Sequence, residues 1–314
     1  MSMAVSHPNF PHGLDIRPLV SERDENGPFN AEAQKHAIQR FGIAGRIWEA
    51  AQLMIRYFEL SASPVWQFDP PCSMIQRESD RELTVVELGS GTGYVGLKLA
   101  EHLSELSRAK DLLVLTDLPD VCILLEESLH DERQRWMTSH PLGKVLVPVK
   151  ILPLPWGAAA EGSRLSALLA NGECSTSVPR RLTHVVCSDL VYFPHLLAPL
   201  LRTLLQLTSP PFELPGQSAE LIISYKIRSL VKECAFWSAF GLWFTFAPVL
   251  ARLGDWHIFG EESFVFVGYR RPESLEWVIP DNDDDLLAGI GALGTSMPKS
   301  DDTFETLLLT QMSV

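Results

Sequence analysis

The sequence has no apolar run of about 18 residues, so no segment reads as a membrane-spanning helix. Between Met1 and Gly13 it lacks the basic start and apolar core of a secretory signal. Cysteine is sparse, and Cys72, Cys122, Cys174, Cys187 and Cys234 stand far apart. An odd, dispersed set encodes neither a disulfide framework nor a zinc site, and a reducing, cytoplasmic setting is the expectation. The nine histidines show no H-x-x-x-H pair, so no metal is expected. Basic residues are also in deficit, with 26 Lys and Arg against 39 Asp and Glu and a net charge of −13. With no local basic patch, such a surface repels nucleic acid. It suits a basic protein partner, or serves only to keep the chain soluble.

Of 314 residues, 46% are hydrophobic, enough for one large core or two small ones. Residues 1–30 are rich in Pro, Gly and charge and read as an irregular arm. His36 to Phe41 alternates, meets Gly42 and resumes at Ile43 to Ile47, which predicts a short β ribbon. Trp48, Ala51, Ile55 and Phe58 then recur at helical spacing. From Leu83 onward strand-like and helix-like segments alternate. The strands are Leu83–Leu88, Leu112–Thr116, Val145–Ile151, Leu182–Cys187 and Leu221–Tyr225, with two more at Trp243–Phe246 and Phe264–Tyr269. The expected fold is α/β: a doubly wound, Rossmann-like seven-stranded sheet, mostly parallel with a terminal antiparallel strand. The expected domain spans 31–272, with an insertion loop at 157–181, and residues 273–314 read as an acidic, mobile tail.

The strongest local signal is Val85-Val86-Glu87-Leu88-Gly89-Ser90-Gly91-Thr92-Gly93. A strand ends, glycines let the backbone turn and approach a ligand, and a helix follows with its N-terminus toward that ligand. Gly91, Gly93 and Gly96 also satisfy the dinucleotide fingerprint, so the loop alone is ambiguous. Glu87 separates the two readings. An acid there suits the cationic methionine end of S-adenosylmethionine and repels a pyrophosphate. Asp117, at the end of the next strand, is placed to accept hydrogen bonds from ribose hydroxyls, or to cap the helix that follows. The fourth strand delivers Ser188, Asp189 and Tyr192. Asp189 and Tyr192 are the candidate catalytic residues, since an acid and an aromatic can hold an amine as positive charge develops on it. The alternative makes Asp189 a helix cap and Tyr192 a core residue. The charges of Ser224 to Arg228, after the fifth strand, would touch a protein substrate or merely solvate a loop.

These motifs resemble those of the family-16, seven-β-strand protein-lysine methyltransferases, the methyltransferase-like 21 group. The resemblance runs from about Phe41 to Arg271 and includes the entry segment Gly42 to Ala51, Glu87 to Gly93, Thr116-Asp117-Leu118-Pro119, Leu154-Pro155-Trp156-Gly157 and the D-x-x-Y element Asp189 to Tyr192. Two positions depart from the family pattern: Pro155 replaces a polar residue, and Ser188 stands where alanine is usual. The resemblance implies cofactor contacts at Trp48, Gly89, Ser90, Gly91, Asp117, Trp156 and Ser188, with Trp156 on the adenine and Trp48 near the methionine end. It implies a protein substrate, with elongation factor 1A or a chaperone as the candidates. Competing readings are methylation of a small molecule or RNA, a catalytically idle scaffold, and a nicotinamide dehydrogenase, which Glu87 opposes.

Overall fold

The computed structural model describes residues 9–11, 13–20, 27–76, 82–106, 110–140, 146–170, 180–212, 218–260 and 262–311. Strands β2 (Thr84–Leu88), β3 (Leu112–Asp117), β4 (Val149–Pro153), β5 (His184–Ser188), β6 (Glu220–Lys226), β7 (Phe244–Pro248) and β10 (Ser263–Arg270) form one sheet in the order β4-β3-β2-β5-β6-β10-β7. The first five are mutually parallel, and β10, last in sequence, runs antiparallel between β6 and β7. Parallel strands bury both faces, and every residue of β2 is buried.

Alternate residues of the strands feed different cores. Val86 and Leu88 join α5 (Ala159–Ala170), α6 (Pro194–Leu207) and α7 (Leu230–Trp243) on one face. Val85 joins α2 (Glu49–Ser61), α3 (Tyr94–Glu105) and α4 (Val121–Ser139) on the other. Chain order reverses between β2 and β5, and the carboxyl ends of β2, β3 and β5 open onto a crevice there. A small second sheet of β1 (Gln67–Asp69), β8 (Leu250–Arg252) and β9 (Trp256–Ile258) covers Tyr57 through Phe68 and Phe259. Among the described residues, no helix is long and apolar enough to cross a membrane.

Three expectations are corrected. The segment read as a β ribbon is helical: α1 (Ala31–Phe41) passes into a 3-10 turn over Gly42–Gly45. Asn30 caps α1 by accepting the Ala33 N–H at 2.9 Å, and Gln34, Ala37 and Phe41 form the buried face. That helical period outweighs the brief alternation from His36. The 157–181 insertion contains α5, whose Leu165 and Leu169 enter the core; residues 171–179 lie outside the described set, Cys174 with them.

The third correction concerns the acidic tail. After a 3-10 turn at Pro272–Glu276, the chain forms α8 (Asp283–Leu287) and α9 (Thr303–Gln311) against α6 and α7. Phe304 is 2% exposed and stacks on Trp237 with ring centroids 4.9 Å apart. Leu286 and Ala292 are fully buried. Arg202 holds the acidic run, donating to Pro280 O (2.7 Å), Asp281 O (3.0 Å) and Asp283 Oδ1 (2.9 Å). A few well-placed apolar residues thus dock a segment whose average composition reads as mobile. Phe304→Ala is expected to destabilise the protein by about 3–5 kcal/mol, the range for truncating a buried aromatic. Denaturant unfolding checks this; an unchanged midpoint would mean that α9 is not part of the folded core.

Candidate functional site

The crevice is built on the glycine loop after β2. Gly89, Gly91 and Gly93 have φ of 57°, 53° and 80°. Two of them also allow a close approach. A Cβ on Gly89 would lie 2.7 Å from Leu190 Cδ2 and 3.0 Å from Trp156 Cζ2, and one on Gly91 would lie 2.9 Å from Ala44 O. Asp117, at the tip of β3, fixes this loop: Oδ2 accepts the Gly91 N–H at 2.8 Å and Oδ1 the Leu118 N–H at 2.7 Å. It is therefore not the N-cap of α4, a position that Asp120 occupies. Burial pushes the Asp117 carboxyl up to about 6, while its two N–H donors pull it down.

Glu87 lies beneath the loop, 4% exposed. Its Oε2 is buried without a hydrogen-bond partner among the described residues. Burial pushes the carboxyl up to about 8, against the lowering influence of Ser90 and the Gly96 amide. Trp48 precedes α2 half-buried, donating Nε1–H to Ile43 O at 3.1 Å. The guanidinium groups of Arg46 and Arg228 lie 4.3 Å and 5.2 Å from its ring centre.

Past β5, Asp189 adopts φ 63° and its N–H donates to Ser224 O at 2.8 Å. It does not cap α6, because Phe193 holds that position. Arg228 clasps its carboxylate with both terminal nitrogens, Nη1 donating to Oδ1 at 2.5 Å and Nη2 to Oδ2. Tyr192 packs edge-on against Phe193 with centroids 4.7 Å apart; burial and the nearby Asp117 and Asp189 raise its hydroxyl well above the usual phenol range. Ser188 accepts a hydrogen bond from the Ser224 hydroxyl at 3.1 Å.

A cavity of about 500 Å³ joins these groups, and Trp48, Glu87, Gly89, Ser90, Gly91, Asp117, Trp156, Ser188, Asp189 and Tyr192 all line it. Sequence reasoning missed Arg228, Glu233, Asn9 and Leu14. Arg228, read as a strand-end charge facing substrate or solvent, is turned inward onto Asp189. Glu233 accepts the Arg228 and Ser229 N–H groups at 3.2 and 3.0 Å; it stands four residues after Ser229, one beyond the S-x-x-E spacing, so no capping signal announced it. Asn9 and Leu14 of the N-terminal arm also line the cavity, and Asn9 O accepts the Ile43 N–H at 2.9 Å. The arm has no periodicity that could have announced this. Among the described residues, no group of three or more His, Cys, Asp or Glu side chains is placed to hold a metal.

A family model described as lysine methyltransferase matches residues 32–240. The chain belongs to that family. The lysine methyltransferase match runs from α1 into α7 and takes in every residue of the cavity except Asn9 and Leu14. Among solved structures, the S-adenosylhomocysteine-bound methyltransferase PaMTH1 of Podospora anserina is 11% identical, covering 76% of this chain and 87% of that one with a TM-score of 0.38. An O-methyltransferase family protein from Burkholderia thailandensis is 11% identical over 70% of this chain and 58% of that one, with a TM-score of 0.35. The DszA carbon methyltransferase is 16% identical over 62% of this chain, which spans 49% of its length, with a TM-score of 0.35. Likeness at this level carries no argument here; the fold rests on the strand order.

The raised carboxyls make stability depend on pH. An acid whose folded pKa is raised contributes stability below its unfolded value and loses it as pH rises through the folded value. For Glu87 that window runs from about 4.5 to about 8, and for Asp117 from about 3.8 to about 6. The melting temperature of the ligand-free protein should therefore fall between pH 5 and 8. Glu87→Gln should flatten the fall above pH 6, and an equal slope in wild type and variant would contradict the assignment.

Proposed function

We propose that this family member is a cytoplasmic, S-adenosylmethionine-dependent protein-lysine N-methyltransferase. The observation that carries the reading is Glu87: a buried carboxyl with an unpartnered oxygen, set under a glycine loop in an otherwise largely apolar cavity. A buried acid left unpaired is costly, and a ligand ammonium would relieve that cost. A pyrophosphate would aggravate it, which argues against a nicotinamide cofactor. Gly89 and Gly91 line the cavity with positive φ, a conformation that leaves backbone for a ligand to lie against.

The cofactor's methionine end would be held by Glu87, Ser90 and the glycine loop, with Trp48 nearby. Asp117 keeps acceptor capacity for ribose hydroxyls beyond its two backbone bonds, since each carboxylate oxygen has two lone pairs. Trp156 would cover the adenine, and Ser188 would make a backbone contact. When bound, the group supplies a methyl carbon already activated by the positive sulfur, so no enzyme nucleophile is required. The remaining work is to align an amine and exclude water. Asp189 and Tyr192, which line the same cavity, would stand where that amine enters. The family name supports lysine as the acceptor, and the net charge of −13 supports a basic protein surface over RNA. Elongation factor 1A and chaperones are the first substrates to try.

Binding should be coupled to proton release. Near pH 7 most Glu87 is protonated in the free protein, and a ligand ammonium favours the carboxylate. Affinity for S-adenosylhomocysteine should then weaken as pH falls below about 8. Calorimetry in phosphate and Tris should give different apparent enthalpies for wild type and coincident ones for Glu87→Gln. S-adenosylhomocysteine should also raise the melting temperature and NADH should not. Tritiated S-adenosylmethionine with a hypomethylated lysate should label protein bands that protease removes. Thermal stabilisation by NADH alone would overturn the cofactor, and label confined to RNA would overturn the substrate class.

A further inference from the structure

The pairing of Arg228 with Asp189 poses a chemical question. The Asp189 side chain is 0% exposed, and both its oxygens are taken by a guanidinium that is 28% exposed at the cavity's edge. A lone buried carboxylate at this place would draw in a lysine and hold it as an ammonium. An ammonium has no lone pair with which to attack a methyl carbon. An unpaired Asp189 would therefore bind the acceptor in its unreactive form.

We propose that Arg228 is a positioning residue that neutralises Asp189, so that the incoming lysine amine is favoured in its uncharged, nucleophilic form. The proposal rests on the protein-lysine reading above. In the step it serves, the lysine ammonium first gives a proton to solvent. The nitrogen lone pair then forms the N–C bond as the C–S bond breaks with its electrons passing to sulfur. Positive charge moves from sulfur to nitrogen, and the methylated amine ends as an ammonium.

The charges around the pair support this role. On α2, Glu49 lies 3.5 Å from Arg228 Nη2 and is itself paired with Arg46 at 2.7 Å. On α7, Glu233 is held by the Arg228 and Ser229 N–H groups and by the Tyr225 hydroxyl at 2.5 Å, and Lys232 lines the cavity from an exposed position. Lys226 on β6 faces outward to Glu262 at 3.8 Å. Glu87 on β2, Asp117 on β3 and Tyr192 in the turn after β5 also line the cavity. Asp189 and Glu49 thus each have a guanidinium partner. Removing the charge of Arg228 would leave the acids in excess beside the acceptor.

The test uses two cofactor analogues that differ in charge at the transfer point. Sinefungin carries an ammonium on carbon where the methylsulfonium would stand, and S-adenosylhomocysteine carries no charge there. In Arg228→Gln, the affinity ratio of sinefungin to S-adenosylhomocysteine at pH 7 should rise about five-fold or more as Asp189 loses its partner. Arg228→Lys keeps the charge and should hold the ratio within about two-fold, which covers the case in which the glutamine variant does not fold. Asp189→Asn added to Arg228→Gln should restore the wild-type ratio. In parallel, tritium transfer from S-adenosylmethionine to a hypomethylated lysate should slow at pH 7 in Arg228→Gln and recover toward pH 9–10, as a lysine retained as ammonium loses its proton. An unchanged affinity ratio in the folded glutamine variant, or a raised ratio in Arg228→Lys, overturns the proposal. So does a pH profile lowered uniformly without a shift. Wild type that binds both analogues yet labels no protein at any pH overturns the protein-lysine reading itself, a result that the affinity ratios do not mimic.

Discussion

The Asp117 carboxylate is the tie on which the site depends. One oxygen holds the Gly91 amide and the other the Leu118 amide, so a single side chain at the tip of β3 fixes both the glycine loop after β2 and the entry toward α4. The Ser90 amide on Thr116 O (3.0 Å) and the Thr116 hydroxyl on Glu87 O (2.7 Å) reinforce the same seam. Without these bonds, a loop of positive-φ glycines would have many accessible conformations, each costly to lose on binding. The parallel sheet supplies the address and Asp117 supplies the rigidity. A ligand then meets a surface that is already shaped.

That rigidity comes with a standing electrostatic cost. Glu87 is buried and Asp117 half-buried, and desolvation lifts both carboxyls above their ordinary range. A structure optimised only for stability would place apolar groups at these points. Keeping two acids there makes sense if the cavity is complementary to something that carries a cation and hydroxyls. The cost in the free protein becomes part of the selectivity in the bound one, because a ligand lacking those groups leaves the acids unsatisfied.

The sheet and most of the site were legible in the sequence because both are local. Leu83 to Gly93 contains a strand, its stop and a helix start within eleven consecutive residues, and Asp117 and Asp189 each end a short apolar run. What stayed hidden depended on distance. Nothing within Ser224 to Arg228 tells that Arg228 turns back 39 positions to bind Asp189. Asn9 joins the cavity with a backbone bond to Ile43 and a side-chain bond to Asp120, 111 positions away, which no local pattern reveals. The misread ribbon and tail share a different cause. Short windows weigh composition, whereas the fold of α1 and α9 is decided by single residues such as Phe41 and Phe304 that meet partners elsewhere.

The C-terminal segment belongs to the same mechanical unit as the site. Phe304 stacks on Trp237, and both rings pack against Tyr225, with centroids 5.9 and 5.0 Å away. The Tyr225 hydroxyl donates to Glu233 at 2.5 Å, and Glu233 accepts the backbone N–H of Arg228 at 3.2 Å. Arg228 in turn grips Asp189. Each link is a buried aromatic contact or a hydrogen bond to a charged group, the kinds of contact least tolerant of displacement. The turn that carries Arg228 is thereby set from beneath by an aromatic cluster and from above by an ion pair. A guanidinium on a loosely held loop would swing into solvent, where it is better hydrated. Held at both ends, it is presented to a carboxylate inside a cavity, and the acidic segment after Pro272 becomes part of the foundation of the site.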